Sequence, residues 1–150
     1  MTQPEKKTAL SEGIGSVFEK KPIDSKSKAC LCAEEADKLK AADVVLLEVS
    51  NYSSFADYFV ICSGKSGRQV QGIADSIERS LKEVGIRPLG VEGLREGQWV
   101  LMDYGDVIVH IFYEPVRFFY DLESLWSEAE TVRWNERSDR ADAVKAEEFS

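Results

Sequence analysis

Few residues in this chain could do chemistry, and each group falls short of a familiar catalytic pattern. Gly64-Lys65-Ser66 stands between a strand-like and a helix-like segment, where a phosphate-binding loop would sit. A Walker loop also needs a glycine five residues earlier, and that position is Phe59. Two-metal nucleotidyl transfer wants two carboxylates two residues apart on one strand, so that both point at the paired ions. The chain offers Asp103 and Asp106 across a turn instead, and Ser63-Gly64 reverses the Gly-Ser order expected at the helix start. Cys30-x-Cys32 could be half of a metal site, but a closed site needs four ligands and the single histidine is His110. The plainer reading makes both cysteines small apolar positions on a helix. No nucleophile elbow is present, and His110 lies inside a run of large apolar residues, a poor place for a proton shuttle. The residues therefore predict no catalytic residue, no metal site and no cofactor.

The elements around these residues give a pattern of their own. Ser25 to Ala42 reads as a helix, with Ala29, Cys32, Ala36 and Leu39 at three- and four-residue steps. Val44 to Val49 and Asp57 to Ser63 read as buried strands. Ser66 and Gln69 have capping-box spacing, and Val70, Ile73, Ala74, Ile77, Leu81 and Val84 form one apolar stripe that Gly85 should end. Pro88 to Glu92 is short and extended. Gln98–Asp103 and Asp106–Tyr113 read as strands, and Tyr104-Gly105 between them reads as a two-residue hairpin loop. A final helix from Val116 to Ala129 should bury Phe119, Leu122, Leu125 and Trp126. The pattern predicts three regions. Residues 1–24 form a flexible extension, residues 25–129 one α/β (α+β) domain, and residues 130–150 a charged tail with Trp134 and Phe149 as isolated aromatics.

Composition narrows the function classes. At 150 residues the chain suits one domain. It has no apolar run of the ~20 residues that a membrane helix needs. Met1 to Lys28 lacks a secretory core, and it carries Glu5, Glu12 and Glu19 with no arginine, so the cytoplasm is the expected compartment. Three cysteines, sparse and odd in number, suit a reducing environment. A net charge of -8 argues against a main grip on nucleic-acid phosphates, and no direct sequence-specific nucleic-acid binding is expected. An acidic protein can still dock on a basic protein that itself sits on RNA.

The hairpin is the candidate binding element. With Tyr104-Gly105 as the loop, Asp103 faces Asp106, Leu101 faces Ile108 and Trp99 faces His110. Val100, Met102, Val107, Val109 and Ile111 share the opposite, wholly apolar face. The mixed face, with an indole, an imidazole and two carboxylates, suits a partner protein, and Tyr104 adds an aromatic at the tip. A strand Trp with a neighbouring His is equally a common core arrangement, and both readings stand at this point. A free apolar sheet face would also allow a homodimer.

Several blocks in order carry a family resemblance. These are Asp57-Tyr58-Phe59-Val60-Ile61-Cys62-Ser63-Gly64, then Arg68, then Pro88-Leu89-Gly90-Val91-Glu92-Gly93. Next come the hairpin from Trp99 to Phe112 and Tyr120-Asp121-Leu122-Glu123-Ser124-Leu125-Trp126. Over residues 28–128 the chain resembles the ribosomal silencing factors, RsfS or Iojap. The resemblance implies a mixed sheet of roughly five strands with helices packed on it, nucleotidyltransferase-like without the catalytic carboxylates. It implies binding to the large ribosomal subunit at ribosomal protein L-fourteen, a block on joining of the small subunit, and lower translation when nutrients are scarce. Trp99 is then the aromatic anchor and Tyr104 the loop-tip residue. Glu92, Asp103 and Asp106 are acidic positions suited to basic side chains of the partner. A large-subunit assembly factor without silencing activity, and a divergent nucleotidyltransferase, are the alternatives.

Overall fold

A computed structural model describes residues 23–134. Its elements in chain order are α1 (Ser25–Lys38), β1 (Ala42–Glu48), β2 (Tyr58–Gly64), α2 (Gly67–Glu83), β3 (Gly90–Glu92), β4 (Trp99–Asp103), β5 (Val107–Tyr113), α3 (Glu114–Tyr120), α4 (Leu122–Leu125) and β6 (Glu130–Thr131). The strands form one mixed sheet in the order β3-β4-β5-β2-β1-β6. β2 and β5 run parallel, and the other neighbouring strands are antiparallel.

The mixed α/β architecture expected from the sequence is present, with a sixth strand. Glu130–Thr131 pairs with Glu48 and Leu47, and the chain continues to Trp134, which is buried in the core under α1 and α2. The fold thus runs past residue 129, because β1 would otherwise be a bare edge and Trp134 covers part of its helix-facing side. The expected 1–24 extension and 130–150 tail lie outside the described residues, apart from 23–24 and 130–134.

The two helix-forming patterns meet the sheet on one face. Asp24 caps α1 by accepting from the Ser27 amide at 2.7 Å, a signal missed in the sequence pattern. Ala29, Cys32, Ala33 and Ala36 are fully buried, so small side chains let α1 lie close to the sheet. α2 begins as its spacing predicts. Ser66 Oγ accepts from the Gln69 amide, and Gln69 Oε1 accepts from the Lys65 amide. It ends at Gly85 (φ +84°), where the Gly85 and Ile86 amides donate to the Lys82 and Leu81 carbonyls. Gly64-Lys65-Ser66 is explained by this packing, since a Cβ on Gly64 would stand 3.0 Å from a Val70 methyl.

α3 and α4 cover part of the other face. The single helix expected from Val116 to Ala129 is instead broken at Asp121, which is left-handed at φ +46°. Its carboxylate accepts from the Ser124 hydroxyl and restarts the chain as α4. The break rotates the side chains. Leu122 and Trp126 pack on the sheet with Val116, whereas Phe119 and Leu125, expected in the core, are exposed.

Candidate functional site

The β4–β5 hairpin closes one residue later than its sequence suggests. The Tyr104 amide donates to the Val107 carbonyl, and the loop is Gly105-Asp106 with Gly105 at φ +88°. A glycine in this conformation at the first central position is what a type II′ hairpin turn requires. The register therefore pairs Trp99 with Phe112, Leu101 with His110 and Asp103 with Ile108. The expected pairs Trp99–His110, Leu101–Ile108 and Asp103–Asp106 are corrected, although the division into two faces survives because the slip preserves parity.

Trp99 and His110 still touch, as diagonal neighbours. The Trp99 Nε1 hydrogen is donated to His110 Nδ1 at 3.2 Å. The indole also packs on Phe112 and Tyr120, each with ring centroids 4.9 Å away, and His110 meets Phe59 edge-on at the same separation. His110 is buried, and desolvation pushes its imidazole down to about 4. It is therefore neutral at pH 7, with Nδ1 accepting from Trp99 and the proton on Nε2, which has no partner among the described residues. The hydrogen bond thus fixes one tautomer of the neutral ring.

The other residues expected at a partner site are spread apart. Tyr104 is not an exposed tip. Only 5% exposed, it turns into the core beneath α1 and α2, its hydroxyl lacks a partner among the described residues, and burial raises its phenol above the usual range. Its ring is large and apolar, and the shifted turn puts it on the helix-covered face with Val100 and Met102. Asp103 is used locally, accepting from the Gly105 amide at 2.8 Å. Asp106 pairs with Lys28 of α1 at 2.7 Å, and its carbonyl accepts from the Asp57 and Tyr58 amides. Glu92 is exposed on β3 opposite Leu101, on the Trp99 side of the sheet.

The most exposed apolar surface lies where the sequence reading did not place it. Phe118 is 85% and Phe119 81% exposed, and Tyr120 and Leu125 are exposed as well. Tyr120 packs on Trp99 with the rings tilted at 48°, and Phe119 meets Tyr120 edge-on at 5.2 Å. Three consecutive aromatics, 118–120, were the available signal. Successive helical residues point about 100° apart, so one buried face cannot take all three.

A pocket of about 530 Å³ adjoins this ledge, lined by Asp43, Ser63, Glu114, Pro115, Arg117, Phe118, Asp121 and Glu123. It opens at the C-terminal ends of the parallel strands β2 and β5, a common ligand position in α/β sheets. Arg117 occupies its floor. The guanidinium reaches Glu123 with two bonds, at 3.2 and 2.8 Å. It also donates to the Asp43 carbonyl at 2.8 Å, Ser63 Oγ at 2.9 Å and the Ala42 carbonyl at 3.4 Å. With its donors used internally, it stitches α3 and α4 to the sheet, and Asp43, Glu114 and Asp121 leave an acidic rim. Among the described residues no three His, Cys, Asp or Glu side chains are grouped to hold a metal ion. The thiols of Cys32 and Cys62 are pushed up to about 12 by burial, which fits packing positions. Nor is any described helix long and apolar enough to cross a membrane.

Comparison with known proteins decides the family. The family described as "Ribosomal silencing factor during starvation" (RsfS) matches residues 22–150. The chain belongs to the RsfS family. It is 42% identical over 107 residues to the ribosomal silencing factor RsfS of Bacillus subtilis, covering 71% of this chain and 91% of that one. The chloroplastic protein Iojap of Zea mays is 30% identical over 106 residues, covering 71% of this chain and 46% of that longer protein. A crystal structure of an RsfS-family protein from Chromobacterium violaceum superposes with a TM-score of 0.69 at 36% identity, covering 70% and 88% of the two chains. One from Bacillus halodurans gives 0.62 at 41%, covering 69% and 93%. The hairpin and the α3–α4 ledge both lie inside the segment matched by the RsfS family.

Proposed function

We propose that this RsfS-family protein acts in the cytoplasm by docking on the large ribosomal subunit at ribosomal protein L-fourteen. In that position it blocks joining of the small subunit and lowers translation when nutrients are scarce. The observation that carries the reading is the exposed aromatic ledge of Phe118, Phe119 and Tyr120, backed by Trp99. An apolar group of this size on a short helix is costly to leave in water and fits a protein partner. The acidic rim of Asp43, Glu114 and Asp121, with Glu92 on the same side of the sheet, gives a basic ribosomal protein complementary charge. Trp99 and His110 then hold the surface in shape. Asp103, Asp106 and Tyr104 serve the fold, and contact with the partner falls to the ledge.

The test is a subunit-joining assay with purified subunits. Joining is expected to fall as protein is added, and the protein is expected to co-sediment with free large subunits. Co-sedimentation with undiminished joining at saturation would leave an assembly role in place of silencing. Absence of co-sedimentation would reject the docking itself. Off the ribosome a second copy is the natural competitor for the same ledge, so added large subunits should dissolve any dimer.

A further inference from the structure

The end of the sheet that carries the ledge carries a different surface on its other face. Three chain segments are drawn together around the start of α2. On one flank Gln69 Nε2 donates to the Leu39 and Lys40 carbonyls while its Oε1 accepts from the Lys65 amide. On the other flank Gln71 Nε2 donates to the Leu94 and Arg95 carbonyls at 2.9 and 3.0 Å. Gly97 packs against Gly67 so closely that a Cβ on Gly97 would stand 3.0 Å from the Gly67 Cα. Arg68 precedes Gln71 by three residues, on the same helical flank.

These contacts set four exposed cations around one corner of the sheet, the start of α2, with Lys40 and Lys65 by the Gln69 flank and Arg68 and Arg95 by the Gln71 flank. None of the four forms an ion pair among the described residues, whereas nearby Lys38 is partnered by Glu35. Glu96 and Asp75 are exposed nearby in the chain, and the half-buried Asp37 precedes Lys40 by three residues. In a chain of net charge -8, four exposed cations with no ion pair among the described residues outnumber the three acidic side chains near them. The first turn of α2 has no acidic residue; Lys65 stands just before it and Arg68 within it, where a cation disfavours a helix. Helix stability does not account for their placement, and a negatively charged partner would.

We propose that the Lys40, Lys65, Arg68 and Arg95 corner is a second docking surface, which meets the phosphate backbone of RNA. The inference rests on the proposed docking to the large subunit and adds an RNA contact beside the protein contact. β2 and β5 end side by side, with Gly64 in register with Tyr113, so α2 and α3 start from neighbouring positions at one end of the sheet. The aromatic ledge and the basic corner thereby flank that end from opposite faces. A protein surface and the RNA beside it could be gripped together. The contact is to backbone charge, so it carries no base specificity.

The experiment compares the full chain with a Lys65→Gln/Arg68→Gln/Arg95→Gln variant whose thermal unfolding matches wild type. Each is titrated against purified large subunits over a range of salt, and against a short RNA duplex unrelated to the ribosome. Loss of the corner is expected to weaken subunit binding about tenfold at low salt and to flatten the slope of log K against log salt by about 2. It should also abolish the weak low-salt duplex binding of wild type. Equal affinity and slope for the two proteins would overturn the inference while leaving the docking reading intact. Weaker subunit binding by the variant, with no duplex binding by wild type, would assign the corner to an acidic protein surface and overturn the RNA contact. If wild type ignores subunits, the docking reading fails, and the duplex alone decides. Duplex binding by wild type that the variant loses would uphold the RNA contact, and any other duplex result would overturn it.

Discussion

Trp99 donates its indole hydrogen to Nδ1 of His110 at 3.2 Å, diagonally across the β4–β5 ladder, and Phe59 closes on the imidazole from β2. The bond requires a neutral imidazole, since a protonated ring would turn a donor toward a donor. Burial holds the folded ring near 4 against an ordinary 6.5. The fold therefore refuses a proton that the unfolded chain accepts. Stability contributed by neutral His110 is fully present above about pH 6.5 and is lost as pH falls from there through 4. The difference amounts to about 3 kcal/mol at the acid end. His110→Gln should be less stable than wild type at pH 7, and the gap should narrow as pH falls. Urea unfolding of both proteins across this range checks it, the variant accounting for carboxylates that titrate alongside. A constant gap would show that His110 titrates normally in the fold.

The ledge prediction concerns binding without stability. Phe118→Ser/Phe119→Ser removes two rings that are mostly in water, so unfolding free energy should change by less than about 0.5 kcal/mol. Binding to large subunits should weaken by about 2 kcal/mol or more, some thirtyfold, if these rings anchor the partner. Trp99→Ala should cost both binding and stability, because the indole supports Tyr120 and bonds His110. Quantitative co-sedimentation beside thermal unfolding separates the two effects. Unchanged binding by the double variant would move the contact off the ledge.

Tyr104 yields the opposite expectation. Its hydroxyl is buried without a partner among the described residues, so Tyr104→Phe removes a desolvated polar group and keeps the packing. The variant should be as stable as wild type or up to about 1 kcal/mol more so, with unchanged subunit binding. A marked loss of subunit affinity would return Tyr104 to the partner surface.

What the sequence revealed and what it hid follow from range. α2 was legible to its caps because Ser66, Gln69 and Gly85 act over one turn each and the apolar stripe is strictly periodic. The two sheet faces were legible from alternation, which survives a slip that preserves parity. The hairpin register was not, because either position of Gly105 satisfies local rules and only burial of the Tyr104 ring chooses between them. The break at Asp121 and the strand at Glu130–Thr131 were hidden for the same reason. Both depend on partners far along the chain, Arg117 with β1 and β2 in one case and Leu47 with Glu48 in the other. The aromatic ledge lies beside that break, and the unbroken helix read from the sequence placed its Phe119 in the core.

Gly93 holds the loop that delivers Trp99, and its backbone leaves no room for a side chain. It sits at φ +82°, and a Cβ there would collide with the Trp99 carbonyl oxygen. The Gly97 amide donates to the Gly93 carbonyl, and the Tyr113 amide donates to the Gln98 carbonyl, so the loop is pinned at both ends. Gly93→Ala should therefore destabilise by about 2 kcal/mol or more, through strain and displaced backbone. Near-UV circular dichroism should show the Trp99 environment disturbed before global unfolding.

Arg117 makes the sharpest mutational case, because its charge alone does not explain its position. Its side chain is 11% exposed and its donors are divided between Glu123, Ser63 and the carbonyls of Ala42 and Asp43. The Asp43 carbonyl is free to accept because β1 bulges between Ala42 and Val45, with Asp43 left-handed at φ +50°. A planar, five-donor group can serve a carboxylate on one side and a bulged strand on the other, and an ammonium cannot. Arg117→Lys should keep the charge yet cost about 1–2 kcal/mol, and Arg117→Ala should cost about 3, leaving Glu123 and the bulge carbonyls unpaired. Because Arg117 ties α3 and α4 down, both variants should loosen the ledge before the sheet. Amide exchange should rise first in residues 114–125 and leave β5 protected. Equal stability of the Lys variant and wild type would reduce Arg117 to a simple counter-charge.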